Sequence, residues 1–148
     1  MQIVVTMPRG AVRDSFIPAE VAAELETLGS VRWNVMERNY TKVELARALS
    51  DAQVCVSGWG TEALDADVVA SAPKLQVVAH TGGTVAPIVS EALYAHGVTV
   101  LSGNALYAES VAEGFIAYVL CALRELPRYT QTMLRDGWAP AEWQNRGL

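Results

Sequence analysis

The sequence predicts an α/β domain built around a doubly wound parallel sheet of about five strands. The chain has 148 residues and is 51% hydrophobic, which is enough to bury one core but too little for two ordinary domains. Short apolar runs rich in β-branched residues recur along residues 1–104, and amphipathic helical segments alternate with them. This alternation is typical of a parallel sheet covered by helices on both faces.

Five apolar runs bounded by turn-forming residues predict the strands. They lie near residues 2–6, 31–36, 53–57, 75–80 and 98–101. Each run is short and continuous, as expected for strands that are buried on both faces.

The first predicted helix has Pro18 in its opening turn, a position that suits proline. Val21, Leu25 and Leu28 recur at the spacing of one core-facing side. Gly29 is expected to adopt the left-handed conformation that often ends a helix.

Three further helices are predicted from their end signals. Thr41 and Glu44 have the spacing of a capping box at the start of the second helix. The third helix is expected over residues 65–72, and the fourth over residues 90–96, where Gly97 ends it.

The pattern changes after the fifth strand, where residues 105–126 predict a long helix. Glu109 and Glu113 mark a polar side, but residues 114–123 carry no charge, and a helix that is apolar all round must be buried all round. The segment is expected to be too short to span a bilayer. A partner chain or a second domain is therefore the expected cover, and we predict a homodimer through residues 105–126.

The same change divides the chain into residues 1–104, a sheet domain, and residues 105–148, a helical segment. In that segment a short helix near residues 129–135 follows Pro127, and an irregular tail contains Trp143.

Charge and cysteine content exclude several function classes. The chain has 16 Asp and Glu against 11 Lys and Arg, a formal net charge of -5, and no basic run, which disfavours a nucleic-acid partner. Two cysteines and two histidines offer neither a disulfide framework nor the spacing of a metal site. This cysteine usage predicts a cytoplasmic location. The N-terminus has no basic region before its short apolar stretch, so we expect no targeting segment and no membrane contact.

The ligand site of an open parallel sheet lies outside the carboxyl ends of its strands. Four glycine-containing loops are expected at that edge: residues 7–10, 58–61, 81–84 and 102–104. Gly82 and Gly83 make the third loop the richest in glycine, and without side chains their backbone N–H groups can surround an anion. An equally good interpretation is that the two glycines only permit a tight turn after a buried strand.

Other polar residues near these loops have a structural interpretation beside a functional one. His80 ends the fourth strand and could donate to an anion, although a hydrogen-bonded structural histidine is the more frequent outcome. Arg9 could reach an anionic ligand from the first loop or be solvated. His96 ends a helix, where the last carbonyls favour it.

Trp59 is the most suggestive aromatic residue. A large ring between Gly58 and Gly60 could cap a pocket, or it could fill a gap between loops. Cys55 in the third strand and Cys121 in the apolar helix are expected to be small buried hydrophobes rather than nucleophiles.

Several enzyme classes lack their motifs in this sequence. It contains no G-x-S-x-G, no P-loop and no G-x-G-x-x-G, and TMPRG follows the first strand instead. The residues alone name no catalytic residue and no proton-transfer pair.

The second half of the chain resembles the D-isomer-specific 2-hydroxyacid dehydrogenases. The matching runs are APKLQVVAHTGGTV (residues 72–85), HGVTVLSGN (96–104) and AESVAEGFIAYVLCALRELPRY (108–129), followed by Trp138 and by Arg146, Gly147 and Leu148. The run DAQVCVSGWGT (51–61) fits the family less specifically. The order and spacing of the runs carry the resemblance.

This resemblance implies a flavodoxin-like substrate domain, a helix that crosses into a Rossmann domain, and an active site in the cleft between the two. It also implies hydride transfer between NAD or NADP and a 2-hydroxy or 2-oxo acid. The chain stops before the position of the family's dinucleotide fingerprint, its catalytic arginine, glutamate and histidine, and its returning C-terminal helix. We therefore expect a substrate domain that is inactive alone, binds no cofactor and exposes apolar surface.

Three site assignments follow from the resemblance. The family's turn that offers backbone N–H groups to the substrate carboxylate falls on Gly82, Gly83 and Thr84. The loop that borders the substrate contains Trp59. Val111 takes the position that lines the cleft near the nicotinamide in relatives.

Two departures from the family bear on substrate preference and loop conformation, and composition leaves a second function class open. Thr84 replaces the family's usual glycine and Ala86 its usual aspartate. The alternative is a non-catalytic flavodoxin-like module that binds a small anion or a protein partner through the loop edge or the apolar helix.

Overall fold

A five-stranded parallel sheet forms the centre of the fold. The computed structural model describes residues 1–138. The strands are β1 (Gln2–Val5), β2 (Ser30–Trp33), β3 (Val54–Ser57), β4 (Val77–His80) and β5 (Thr99–Ser102). Their order in the sheet is β2-β1-β3-β4-β5, which is the order of flavodoxin-like doubly wound sheets. The predicted fold class is therefore confirmed.

Five helices connect the strands. They are α1 (Ala11–Phe16), α2 (Ala19–Leu28), α3 (Lys42–Leu49), α4 (Ala66–Ala70) and α5 (Glu91–Ala95). Two helices lie between β1 and β2, where the sequence predicted one, and Pro18 is the N-cap of the second.

The second strand is shorter than predicted, because its next residue turns the chain. Asn34 is fully buried, and its side-chain oxygen accepts a hydrogen bond from the backbone N–H of Met36 at 2.9 Å. Its amide group donates to the carbonyl of Thr6 at 3.0 Å. The backbone N–H of Asn34 still donates to the carbonyl of Val5 at 2.9 Å, and the side-chain bonds then hold a turn that ends the strand.

Two hydrophobic clusters hold the sheet between its helices. The side chain of Val4 joins one cluster and those of Ile3 and Val5 join the other, because successive side chains of a strand point to opposite faces. The first cluster contains Leu45 and Leu49 of α3, Val68 of α4 and Leu93 of α5. The second includes Ile17 and Val56, with Phe16 of α1 and Leu25 of α2 packed against it.

The second hydrophobic cluster does not extend to one edge of the sheet. The second cluster contains residues of β1, β2 and β3 but none of β4 or β5. On the edge strand β5, Leu101 is 54% exposed. The edge of the sheet at β5 therefore carries an exposed apolar side chain.

Local end signals of the helices are confirmed. The Thr41 side chain accepts from the backbone N–H of Glu44, whose carboxylate accepts from the N–H of Thr41. Asp65 and Ser90 cap α4 and α5 in the same way, by accepting from backbone N–H groups of the first turn. Gly97 follows α5 with a φ of 84°.

The conformation of Gly29 differs from the prediction. Its φ of 167° is extended rather than left-handed. A Cβ atom at this position would collide with the carbonyl oxygen of Met1, which accepts a hydrogen bond from the N–H of Ser30. Gly29 is therefore required by the close approach of the chain start, not by the helix end.

The core-facing side of α2 is also displaced from the prediction. Ala22 and Leu25 pack against the second cluster, whereas Val21 and Leu28 are 36% and 61% exposed. The helix is rotated so that its narrow apolar side contacts the sheet, and Leu28 lies at its exposed end.

A second compact unit begins at Leu106, and the first extends from Met1 to Ala105. The helices of this region are α6 (Asn104–Leu123) and α7 (Leu126–Asp136). Pro127 lies inside the first turn of α7 rather than before the helix, because the N–H groups of a first turn need no helical partner. Trp143 and residues 146–148 lie outside the described residues.

No residue of α6 is buried. Phe115 is 66% exposed and Ile116 is 55% exposed. With 20 residues and a mean hydropathy of 1.4, α6 is long and apolar enough to cross a membrane. The expectation that this segment is too short to do so is therefore wrong. One such helix is weak evidence of a membrane protein, since core helices of soluble proteins have the same length and composition.

We expect Leu49→Ala to lower the free energy of unfolding by about 2–5 kcal/mol, because it leaves a cavity in the first cluster. The matched control Leu28→Ala should change it by less than about 0.5 kcal/mol, since Leu28 is 61% exposed. Urea unfolding followed by circular dichroism measures both values. Equal losses in the two variants would contradict this assignment of the core.

Candidate functional site

The four predicted loops meet at the carboxyl edge of the sheet. They follow β1, β3, β4 and β5, and parallel strands end at the same edge. The backbone N–H of Thr81 donates to the carbonyl of Ser57 at 2.9 Å. The N–H of Gly103 donates to the carbonyls of His80 at 3.2 Å and Gly82 at 3.0 Å. These bonds join three of the loops into one rim.

The loop of residues 81–84 presents free backbone donors at this rim. Gly82 is buried, Gly83 is half-buried and Thr84 is exposed. Within residues 1–138, none of these three backbone N–H groups donates a hydrogen bond. The loop therefore has the donors that an anion requires.

Gly82 and Gly83 provide space rather than an unusual turn. Neither has a φ in the left-handed region. A Cβ atom on Gly82 would lie 2.6 Å from Nε2 of His80 and 2.8 Å from Nε1 of Trp59. A Cβ atom on Gly83 would lie 3.3 Å from Oδ1 of Asn104. The two glycines are therefore required by close packing, and the role of their loop in binding an anion stays a prediction.

A cavity of about 120 Å³ lies beside this loop. Trp59, His80, Thr84 and Ile88 line it together with neighbouring loop residues. The structure thus brings Trp59 next to the loop of residues 81–84. Val111, the fifth predicted site residue, lies on α6 in the second unit and is 68% exposed, and its role stays a prediction.

His80 is held in the wall of this cavity. It is only 6% exposed, and its Nδ1 shares a hydrogen bond with Oγ of the fully buried Ser57 at 3.1 Å. Burial lowers the pKa of His80 below its ordinary value of 6.5, so the ring is neutral at pH 7. The structure therefore contains the hydrogen-bonded histidine that the sequence favoured, with its second nitrogen beside Gly82.

Trp59 is fixed although it is 64% exposed. Its ring meets that of Phe16 edge to face, with ring centres 5.2 Å apart. Its carbonyl accepts a hydrogen bond from Nδ2 of Asn39 at 3.3 Å. Trp59 also borders a second hollow of about 420 Å³, lined by residues 7–13 and Glu37, and so stands between two concave surfaces.

Three other candidates, Arg9, Cys55 and His96, do not line this cavity. Arg9 is exposed and forms an ion pair with Glu37 at 2.7 Å. Cys55 is fully buried, and burial raises the pKa of its thiol to about 12, which keeps it protonated and unreactive. His96 is the C-cap of α5. Among residues 1–138, no cluster of His, Cys, Asp and Glu could hold a metal ion.

Ser57 and Asn39 were missed by the sequence analysis. Ser57 lies opposite His80 in the pairing of β3 with β4, and Asn39 reaches Trp59 from the loop after β2. The available signal was that Ser57 is a polar residue at the end of an apolar strand. Its partner could not be inferred without the strand order.

Acidification should destabilise the fold partly through His80. Because the folded pKa of His80 is lowered, the unfolded chain binds a proton in the window below pH 6.5 that the folded chain does not. The free energy of unfolding therefore falls as pH falls through that window. His80→Asn should reduce this dependence, measured by urea unfolding at about pH 7.5 and about pH 5.5. His96→Asn serves as the control, and a wild-type pH dependence in His80→Asn would contradict the assignment.

Comparisons with known proteins agree on one family. The description of the matching family is D-isomer specific 2-hydroxyacid dehydrogenase, catalytic domain, and the match covers residues 12–136. D-3-phosphoglycerate dehydrogenase of Methanocaldococcus jannaschii is 33% identical over 114 residues, which are 77% of this chain and 21% of that protein. The enzyme of the same name from Mycobacterium tuberculosis is 31% identical over 133 residues, 90% of this chain and 24% of that protein. The chain thus spans about a quarter or less of these relatives.

Solved structures share the fold. A phosphoglycerate oxidoreductase from Rhizobium etli has a TM-score of 0.70 at 18% identity, with 99% of this chain and 43% of that chain covered. D-lactate dehydrogenase from Aquifex aeolicus, solved with NAD and lactic acid, has a TM-score of 0.65 at 16% identity, with 99% of this chain and 41% of that chain covered. With a family match over most of its length, this chain belongs to the D-isomer-specific 2-hydroxyacid dehydrogenase family.

Proposed function

We propose that this chain is the substrate-binding domain of an NAD-dependent D-2-hydroxyacid dehydrogenase, which transfers a hydride between NAD(H) and a 2-hydroxy or 2-oxo acid. The observation that carries the proposal is the set of unbonded backbone N–H groups of Gly82, Gly83 and Thr84 beside a cavity. Family membership supports the reaction type.

The loop of residues 81–84 binds the substrate carboxylate in this proposal. Successive backbone N–H groups can bind an anion without a charged side chain. Oγ1 of Thr84 accepts a hydrogen bond from the N–H of Ala86 at 3.4 Å within the same segment. Trp59 borders the bound acid from the neighbouring loop.

The cofactor is NAD or NADP in the complete enzyme, where the nicotinamide supplies or accepts the hydride. The residues of this chain do not fit a dinucleotide. β1 leads through TMPRG into α1, a helix of six residues, instead of through a G-x-G-x-x-G turn into a long helix. We propose that Val111 lines the cleft near the nicotinamide, that no residue of this chain transfers a proton, and that the chain alone is inactive.

The apolar surface of α6 is proposed to bind a second copy of this chain through residues 105–126. Phe115, Ile116 and Tyr118 are each more than half exposed. Glu109 and Glu113 lie on the same helix and disfavour a bilayer as its cover. The proposed protein is accordingly a cytoplasmic homodimer without membrane or nucleic-acid contact.

Oxamate, an unreactive analogue of a 2-oxo acid, should bind the loop of residues 81–84. In ¹H–¹⁵N correlation spectra of the chain, we expect the backbone signals of Gly83 and Thr84 to shift with increasing oxamate and to saturate. The signal of Gly97, far along the chain in another turn, should not move. Acetamide, which lacks the carboxylate, should leave all three signals unchanged.

Gly83 and Thr84 signals that stay in place up to the highest oxamate concentration would remove the proposed function. The purified chain should also show no NADH oxidation with glyoxylate or hydroxypyruvate. Turnover in that assay would contradict the assignment of a substrate domain that needs further polypeptide.

Sedimentation at micromolar concentration should show at least a dimer, because a stable interface of about 1,000 Å² or more is the usual cover of such a surface. Ile116→Asp places a charge in that interface and should yield a monomer. Val35→Asp, at a residue that is 73% exposed in the first unit, should remain a dimer. A monomeric wild type would exclude the proposed interface.

A further inference from the structure

Two ring nitrogens face the same side of Gly82. Nε2 of His80 and Nε1 of Trp59 lie 2.6 Å and 2.8 Å from the position that a Cβ atom of Gly82 would take. The two nitrogens are therefore near neighbours. Any side chain at residue 82 would occupy the space beside them. Both residues line the cavity of about 120 Å³ beside the loop of residues 81–84.

Neither nitrogen has a partner within residues 1–138. The hydrogen bond of His80 uses Nδ1, and the indole N–H of Trp59 donates to no described residue. Within residues 1–138, Oδ1 of Asn39 is the side-chain polar atom that is both fully enclosed and without a hydrogen bond. Nε2 of His80 also has no hydrogen bond, so it is not fully enclosed. It lies beside the cavity, where a hydrogen bond to a ligand or to water would satisfy it.

The surrounding residues hold both rings in place. Ser57 lies opposite His80 in the β3–β4 register, and the hydroxyl of Ser57 can donate to Nδ1 so that the ring proton is on Nε2. The ring of Trp59 packs against Phe16, and Asn39 binds its carbonyl. Both N–H groups are therefore positioned before a ligand arrives, which lowers the entropy lost on binding.

No charged side chain lines this cavity. Arg9 and Arg13, the two cations of the neighbouring hollow, form ion pairs with Glu37 and Asp14. An anion bound in the cavity must therefore be recognised in this domain by neutral donors. The backbone N–H groups of residues 82–84 supply some of these donors, and the two rings can supply two more.

We propose that Nε2–H of His80 and Nε1–H of Trp59 form a donor pair that binds a carboxylate oxygen of the acid. This inference rests on the proposed function, because it takes the acid to be the ligand of the loop of residues 81–84. His80 and Trp59 are then binding residues that act with the backbone amides. Ser57 is a positioning residue that keeps the proton of His80 on Nε2.

The test measures oxamate binding to the full chain by titration in ¹H–¹⁵N correlation spectra. Trp59→Phe keeps an aromatic ring but removes the indole N–H group. His80→Asn keeps a polar atom that can bond to Ser57 but has no atom at the position of Nε2. Each should weaken binding about fivefold to tenfold, the effect of one neutral hydrogen bond. His80→Gln, which restores an N–H group near Nε2, should bind within about threefold of the wild type. Trp33→Phe and His96→Gln are the matched controls and should bind as the wild type does.

A second measurement does not depend on the folding of any variant. In the wild type, oxamate should shift the indole N–H signal of Trp59 and leave that of Trp33 in place. If the Gly83 and Thr84 signals move while the Trp59 signal does not, or if both Trp59→Phe and His80→Asn bind with wild-type affinity, the donor pair is overturned and the proposed function stands. If none of these signals moves in the wild type, both are overturned.

Discussion

The parallel pairing of β3 with β4 is the constraint on which the candidate site depends. The register sets Ser57 opposite His80, so the two strands end at one level and their loops leave the sheet side by side. The bond from the Thr81 N–H to the Ser57 carbonyl then closes this corner. A register shift of one residue would turn His80 to the other face of the sheet and remove its hydrogen bond to Ser57.

Space in the loops matters as much as backbone conformation. Gly82 is required because two aromatic rings pack against its backbone, whereas Gly60 has a φ of 75° that favours glycine. The glycines at this edge therefore have two physical causes, although they form a single pattern in the sequence. The close packing at Gly82 also holds both rings next to the unbonded amides of the loop.

The cavity beside residues 81–84 offers an anion neutral donors, and no charged side chain lines it. Arg9 is paired with Glu37, and Arg13 is placed over the ring of Trp33 with its head group near Asp14. Hydrogen bonds from neutral groups gain strength where water is partly excluded, which suits a cavity closed on one side by protein. In contrast, the apolar side chains of α6 are exposed to water. Exposed apolar surfaces of this kind are typical of sites that bind another protein.

The sequence by itself determined the features that depend on neighbours along the chain. The strand pattern predicted the α/β class, the spacing of Thr41 and Glu44 predicted a capping box that the structure contains, and the order of motifs predicted the family. Each of these signals depends on residues that are close together in the sequence or on the order of short motifs along it. The structure of Gly29 was not predicted, because its cause is a contact with Met1 at the other end of the segment.

Only the tertiary structure decided which side chains meet at the edge of the sheet. Ser57 and His80 are 23 residues apart, and Trp59 meets Gly82 from a different loop. Such contacts depend on strand order and register, which a single sequence does not specify, because each strand alone could pair with several others. The loop that binds the carboxylate in our proposal was therefore predictable from its motif, whereas the two rings beside it became evident once β3 and β4 were paired.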